Sequence, residues 1–179
     1  MTRIAVGHYQ ARLGGFTMDA GNVHVTAYGS GPERCSVAFW DIDLVEVRCF
    51  DATGTPVDAQ WTLRYTDQHV ANAAHAGAYA WLSNVAPASI DAQFQWSSTG
   101  ATLTATRLAP GRYMVLIPML AGVGKTSAMV TAYATLDTRC AVVGWSTVGS
   151  DTTVEVQCRD SSGALADSRF AMSYLTTFE

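Results

Sequence analysis

Short runs rich in Val, Thr, Tyr and Trp, alternating apolar with polar positions, recur along the chain between turns built from Gly, Asp and Ser. The pattern predicts strands over 8–13, 22–28, 34–40, 44–50 and 59–65. Asp51-Ala52-Thr53-Gly54 and Asp160-Ser161-Ser162-Gly163 place Asp first and Gly fourth, as a type I turn prefers. The pattern changes over 66–105. Gln68 to Gly77 is rich in Ala and His and reads as a short helix or a loop, while Ala78 to Ser83, Gln93 to Ser97 and Thr102 to Arg107 read as further strands.

The pattern is written twice. Thr2-Arg3-Ile4-Ala5-Val6-Gly7-His8-Tyr9 aligns with Thr106-Arg107-Leu108-Ala109-Pro110-Gly111-Arg112-Tyr113, and Val25-Thr26-Ala27-Tyr28 with Val130-Thr131-Ala132-Tyr133. Arg34-Cys35-Ser36-Val37 answers Arg139-Cys140-Ala141-Val142, Trp40 answers Trp145, and Val45-Glu46-Val47-Arg48-Cys49 answers Val154-Glu155-Val156-Gln157-Cys158. Asp51, Gly54, Asp58 and Tyr65 recur as Asp160, Gly163, Asp167 and Tyr174. The offset drifts from 104 through 105 to 109, which two small insertions at turns explain. These collinear matches read as a duplication.

The cysteines suggest how each unit pairs. With Cys35 opposite Cys49 in an antiparallel hairpin, Val37 faces Val47, Phe39 faces Val45, and the loop falls at Asp41-Ile42-Asp43. With Cys140 opposite Cys158, Val142 faces Val156, Gly144 faces Val154, and the loop falls near Val148-Gly149-Ser150. A one-residue slip would turn every side chain to the other face. Each cysteine pair then lies side by side, where a disulfide is permitted and two reduced core thiols would also fit. Spacings of 14 and 18, without a His nearby, do not resemble a zinc site.

Composition narrows the classes. Of 179 residues, 49% are hydrophobic and 15% charged, which suits a packed core rather than disorder. A net charge of -4 gives no basic footprint for nucleic acid. The longest apolar run, Tyr113 to Val123, is broken by Pro118 and Gly122 and falls short of the ~18 residues of a helical membrane span. Met1 to Val6 lacks the apolar stretch of a signal peptide, so the expectation is cytoplasmic if Met1 is native and secreted if the chain is a mature or trimmed form.

Gly-His-Tyr, then Val-Thr-Ala-Tyr-Gly, Arg-Cys-x-Val-x-x-Trp, Val-x-Val-x-Cys-Phe-Asp and Gly-Thr-Pro-Val-Asp resemble a tandem β-repeat of often secreted bacterial proteins. The likeness covers most of the chain. It implies a β-rich module and carries no activity, so it assigns no functional residue.

No nucleophile elbow, HExxH motif or placed catalytic cysteine is present, and catalytic residues stay unassigned. Gly122-Val123-Gly124-Lys125-Thr126 lacks the first glycine of a phosphate loop, with Met119 in its place. Asp41 and Asp43 are too few for calcium. His8 and His24 align with Arg112 and Met129, and His69 and His75 lie in the linking segment as solvated or general-base histidines. Arg34 and Arg139 are expected to pair with Asp58 and Asp167. Trp40 and Trp145, on the hairpin face opposite the cysteines, line a pocket or cover the second side of the sheet. Tyr79, Trp81, Phe94 and Trp96 alternate with small or polar residues, so each pair shares a face. That face suits a sugar or an extended apolar chain, or closes the core between the two units.

The expected fold is all-β, an antiparallel barrel or sandwich with internal duplication and pseudo-twofold symmetry. Its parts are 1–67, a linking segment 68–105 and 106–179, one closed domain if a barrel forms. The expected function is a non-catalytic β-module that binds a small molecule or glycan through Tyr79, Trp81, Phe94, Trp96, Trp40 and Trp145, without cofactor or metal. Open strand edges would favour a homodimer. The alternative is a small barrel cyclase or isomerase acting on an apolar metabolite in its lumen.

Overall fold

The computed structural model describes residues 1–15, 20–67, 75–122 and 124–177. These form β1 (Thr2–Ala5), β2 (His8–Arg12), β3 (Asn22–Tyr28), β4 (Arg34–Asp41), β5 (Leu44–Phe50), β6 (Gln60–Thr66) and β7 (His75–Val85). The chain continues through β8 (Ala88–Ser97), β9 (Thr104–Ala109), β10 (Arg112–Ile117), β11 (Thr126–Tyr133), β12 (Arg139–Val148), β13 (Asp151–Arg159) and β14 (Arg169–Thr177). Strand β1 escapes the hydrophobic pattern because all four of its residues are exposed; its ladder with β2 holds it. His75 to Gly77, expected in a helix or loop, open strand β7, while Gln68 and His69 lie outside the described residues.

One sheet runs β1-β2-β5-β4-β11-β14-β7-β8, a second β12-β13-β10-β9, and β3 pairs with β6 alone. All ladders are antiparallel except one parallel bridge, Val37 to Tyr133, where β4 meets β11. The fold is therefore an all-β sandwich. A barrel needs its first and last strands to pair, and here β1 and β8 end one sheet while β12 and β9 end another. Among the described residues no sheet closes, and the barrel alternative gives way to the sandwich.

The eight-stranded sheet carries a core on each face. Successive side chains of a strand point to opposite faces, and β7 sends Ala76, Ala78, Ala80 and Leu82 into a cluster with Tyr113, Val115, Val154 and Val156 of the second sheet. Trp81, from the other face of β7, joins Val23 and Val25 of β3 with Trp40, Val45 and Val47. The β3–β6 ribbon thus covers one face and the four-stranded sheet the other.

Cys35 lies opposite Cys49 and Cys140 opposite Cys158, in the register expected. The Cys49 amide donates to Gly7 O, and its carbonyl accepts from Val57 N. Cys158 is bonded in the same way to Gly111 and Ala166. Neither cysteine pair exchanges ladder bonds, which is the arrangement that brings β-carbons closest. Both pairs are disulfides, so the thiol alternative falls away. Gly7 and Gly111 take φ of 65° and 67°, and a β-carbon there would collide with the carbonyls of Cys49 and Cys158.

Beyond the cysteines both hairpins depart from the expected register. The ladders slip between Val37 and Phe39 and between Val142 and Gly144. Ala38 and Val143 are the extra residues of bulges. Phe39 therefore faces Glu46, Trp40 faces Val45, Gly144 faces Glu155 and Trp145 faces Val154. Each bulge moves its tryptophan onto the face of the cysteines, not the opposite one. Val-Ala-Phe-Trp and Val-Val-Gly-Trp are nearly all apolar, so alternation cannot reveal the extra residue.

The expected arginine pairs also change. Arg3 forks onto Asp58, which accepts as well from Gly7 N and Tyr9 Oη. Arg107 forks onto Asp167, which accepts from Gly111 N and Tyr113 Oη. Asp58 and Asp167 sit just before the last strand of each half, beside these Gly-x-Tyr turns and away from Arg34 and Arg139. Arg34 instead pairs across the halves with the buried Asp137, its Nε donating at 2.6 Å. Arg139 forms no ion pair among the described residues.

Candidate aromatic cleft

The residues that converge are Trp40 at the end of β4, Trp81 on β7, Phe94 on β8 and Tyr133 at the end of β11. Ring centroids lie 5.4 Å apart for Trp40–Trp81, 5.7 Å for Trp40–Phe94 and 5.1 Å for Trp40–Tyr133. Trp81 reaches Phe94 at 5.5 Å and Tyr133 at 5.1 Å. These contacts are edge-on or tilted, as aromatic quadrupoles prefer. Two ladder irregularities aim the indoles. Trp40 stands beyond the β4 bulge, and Trp81 lies where the β7–β8 ladder skips from Ala80 to Leu82, so that it pairs with Ala171 of β14 but with no residue of β8.

An open cleft of about 280 Å³ runs over the cluster, lined by Phe39, Trp40, Asp41, Trp81, Gln93, Phe94 and Tyr133. Asp41 is an exposed carboxylate on its rim, and the Arg169 guanidinium lies 4.8 Å from the Tyr133 ring centre. Burial pushes the Tyr133 phenol up, against the pull of Arg169. The indole N–H groups of Trp40 and Trp81 are buried without an acceptor among the described residues. An unmet buried donor costs roughly 1–3 kcal/mol.

The six expected site residues thus divide into three groups. Trp40, Trp81 and Phe94 come together. Tyr79 and Trp96 are cross-strand partners that stack at 6.1 Å, with Tyr79 fully buried and its hydroxyl donating to Asp67. Trp145 stands apart, 43% exposed, with its Nε1 donating to Thr126 Oγ1 at 2.9 Å. Tyr133, Phe39, Asp41 and Gln93 are the lining residues that sequence reasoning did not assign to the site. Tyr133 had a signal, since it recurs as Tyr28, but nothing in the sequence says which half's Tyr meets which Trp.

The histidines play other parts. His8 faces Glu46 at 3.6 Å, the place that Arg112 takes beside Glu155. His24 is buried, with Nδ1 at 3.0 Å from Thr131 Oγ1 and Nε2 at 2.9 Å from Ser173 Oγ. Burial, aided by Arg64, pushes it down to about 4, so it is neutral near pH 7 and joins the halves. The glycine-rich segment before Thr126 leads into strand β11, where a phosphate loop would open a helix. No family model matches the chain, and neither a curated protein nor a solved structure matches it.

Proposed function

We propose that this protein is a non-catalytic β-module that binds a saccharide, or a small molecule with a comparable apolar face, in the cleft over Trp40, Trp81, Phe94 and Tyr133. The observation that carries this reading is the meeting of four rings with an exposed carboxylate, Asp41, in one open cleft. Pyranose C–H faces pack on aromatic rings, and a rim of polar groups takes the hydroxyls. A few polar groups set in an apolar surface is the usual design of small-molecule sites. The collinear matches and the common order of strand pairing, β1-β2-β5-β4 beside β9-β10-β13-β12, support reading the halves as a duplicated unit. Two disulfides suit an oxidising compartment and support a secreted location.

Glycan-array screening followed by calorimetry tests the reading. Asp41→Ala, at an exposed rim position, should weaken saccharide binding at least ~tenfold, the loss of one good polar contact, with the thermal midpoint unchanged. Binding that ignores both Asp41→Ala and Phe39→Ala would overturn the assignment of the cleft. Absence of any saccharide binding, together with displacement of a bound apolar dye by apolar ligands, would overturn the ligand class.

A further inference from the structure

The halves meet through unlike edges. Strand β4 of the first pairs with β11 of the second at Val37 and Tyr133, and the Ala134 amide donates to the Val37 carbonyl at 2.8 Å. Strands β12 and β3 hold the corresponding places in the opposite halves. Among the described residues, β12 pairs only with β13, and β3 only with β6. Each leaves one aromatic uncovered: Trp145 is 43% exposed and Tyr28 56%. Their counterparts Trp40 and Tyr133 pack 5.1 Å apart, and Trp40 is 5% exposed. Val143 and Val148 extend the uncovered apolar surface of β12. A long edge strand with exposed apolar side chains is a template for another chain.

We infer that the β12 edge of one molecule receives the β3 edge of a second copy, head to tail, repeating the contact that joins β4 to β11. Tyr28 of the second copy covers Trp145, and its Gly29 amide donates to the Val142 carbonyl as Ala134 does to Val37. Tyr28 and Tyr133 each stand six residues before the arginine that opens the next strand, so both edges bring their tyrosine in the same frame. The contact between molecules is weaker than its internal template. Ser36 donates to the Ala134 carbonyl at 3.1 Å, and Ala141 replaces it in the second half. Because the joined surfaces differ, the contact is head to tail rather than twofold, and each added molecule leaves a free edge for the next.

Sedimentation velocity across a range from micromolar to near-millimolar protein tests this. The wild type should exceed dimer mass as concentration rises. Trp145→Asp and Tyr28→Asp should each weaken association at least ~tenfold, as loss of an aromatic anchor does. An equimolar mixture of the two should form a one-to-one dimer and nothing larger, since each variant keeps one sound edge. Both positions are exposed, and near-UV circular dichroism checks the fold. If Trp145→Asp misfolds, Val148→Lys charges the same edge and is read in the same way. A wild type that stays monomeric throughout would overturn the inference. So would Tyr28→Asp associating as the wild type does, which means β12 pairs with β12, or a mixture that fails to restore the dimer.

Discussion

Trp40 and Trp145 occupy the same place in two hairpins of the same design: each follows a disulfide and a bulge and faces a valine. Their surroundings differ. Trp40 lies under Trp81, Phe94 and Tyr133, whereas Trp145 has a hydrogen bond to Thr126 and stays 43% exposed. The hairpin therefore does not decide whether its tryptophan is core or surface. The neighbours that cover it decide, and in the first half they come from β7, β8 and β11, all later in the chain. The linking strands serve both halves, with the alanines of β7 filling the second core and its Trp81 the first.

The sharpest break of this comparison is the pair Trp40→Ala and Trp145→Ala. Removing the buried ring should cost about 3–5 kcal/mol, and the exposed one within about 1 kcal/mol. Urea unfolding measures both, and equal costs would mean that the aromatic cover over Trp40 contributes nothing. The disulfides should behave oppositely, since their loops of 14 and 18 residues are nearly the same size. Replacing either pair by alanine should cost about 3 kcal/mol, and the two losses should agree within a few tenths. A clear inequality would show that strain, not chain entropy, separates the halves.

Much of each hairpin is legible in the sequence. The cysteine register, the strand spans and the Asp-to-Gly turns follow from alternation and turn chemistry, and the Gly54 amide donates to Asp51 O at 3.2 Å as expected. The bulges were not legible, because an all-apolar run hides an inserted residue, and missing them put both tryptophans on the wrong face. Asp58 was visible as a recurring residue but not as the partner of Arg3, since nothing local joins positions 55 residues apart. The aromatic cleft was half legible. The alternation in β7 and β8 marked Trp81 and Phe94, while the meeting with Trp40 and Tyr133 depends on the β4–β11 bridge, a tertiary event with no sequence signature.

His24 sharpens the comparison by pH. Its second-half counterpart is Met129, so only the first half carries an imidazole at this place. The folded protein holds His24 neutral down to about 4, while the unfolded chain protonates it from an ordinary value of 6.5. Between these values the unfolded state binds the extra proton, so stability is lost as pH falls from about 6.5 toward 4. The loss approaches about 3 kcal/mol at the lower end. Chemical unfolding at pH 7 and pH 4.5 should show most of this fall, and His24→Met should remove it. A variant that keeps the full pH dependence would place the responsible group elsewhere.

The smallest difference concerns the tyrosines that anchor each Gly-x-Tyr turn. Tyr113 Oη donates to Asp167 at 2.7 Å, and Tyr9 Oη donates to Asp58 at 3.0 Å. Tyr113 is fully buried, and Tyr9 keeps slight exposure. Burial first, then the carboxylate, pushes both phenols up, so each remains a donor at neutral pH. Removing the hydroxyl leaves the carboxylate its arginine and its glycine amide, so neither substitution strands a buried charge. Tyr9→Phe and Tyr113→Phe should each cost about 1 kcal/mol, the second slightly more because its bond is shorter and drier. Arg3→Ala and Arg107→Ala, at solvent-screened ion pairs, should move the urea midpoint less than either. If the arginine variants prove the more damaging, the forked ion pair rather than the tyrosine hydroxyl fixes the turn, and the two halves are held at these turns by surface charge.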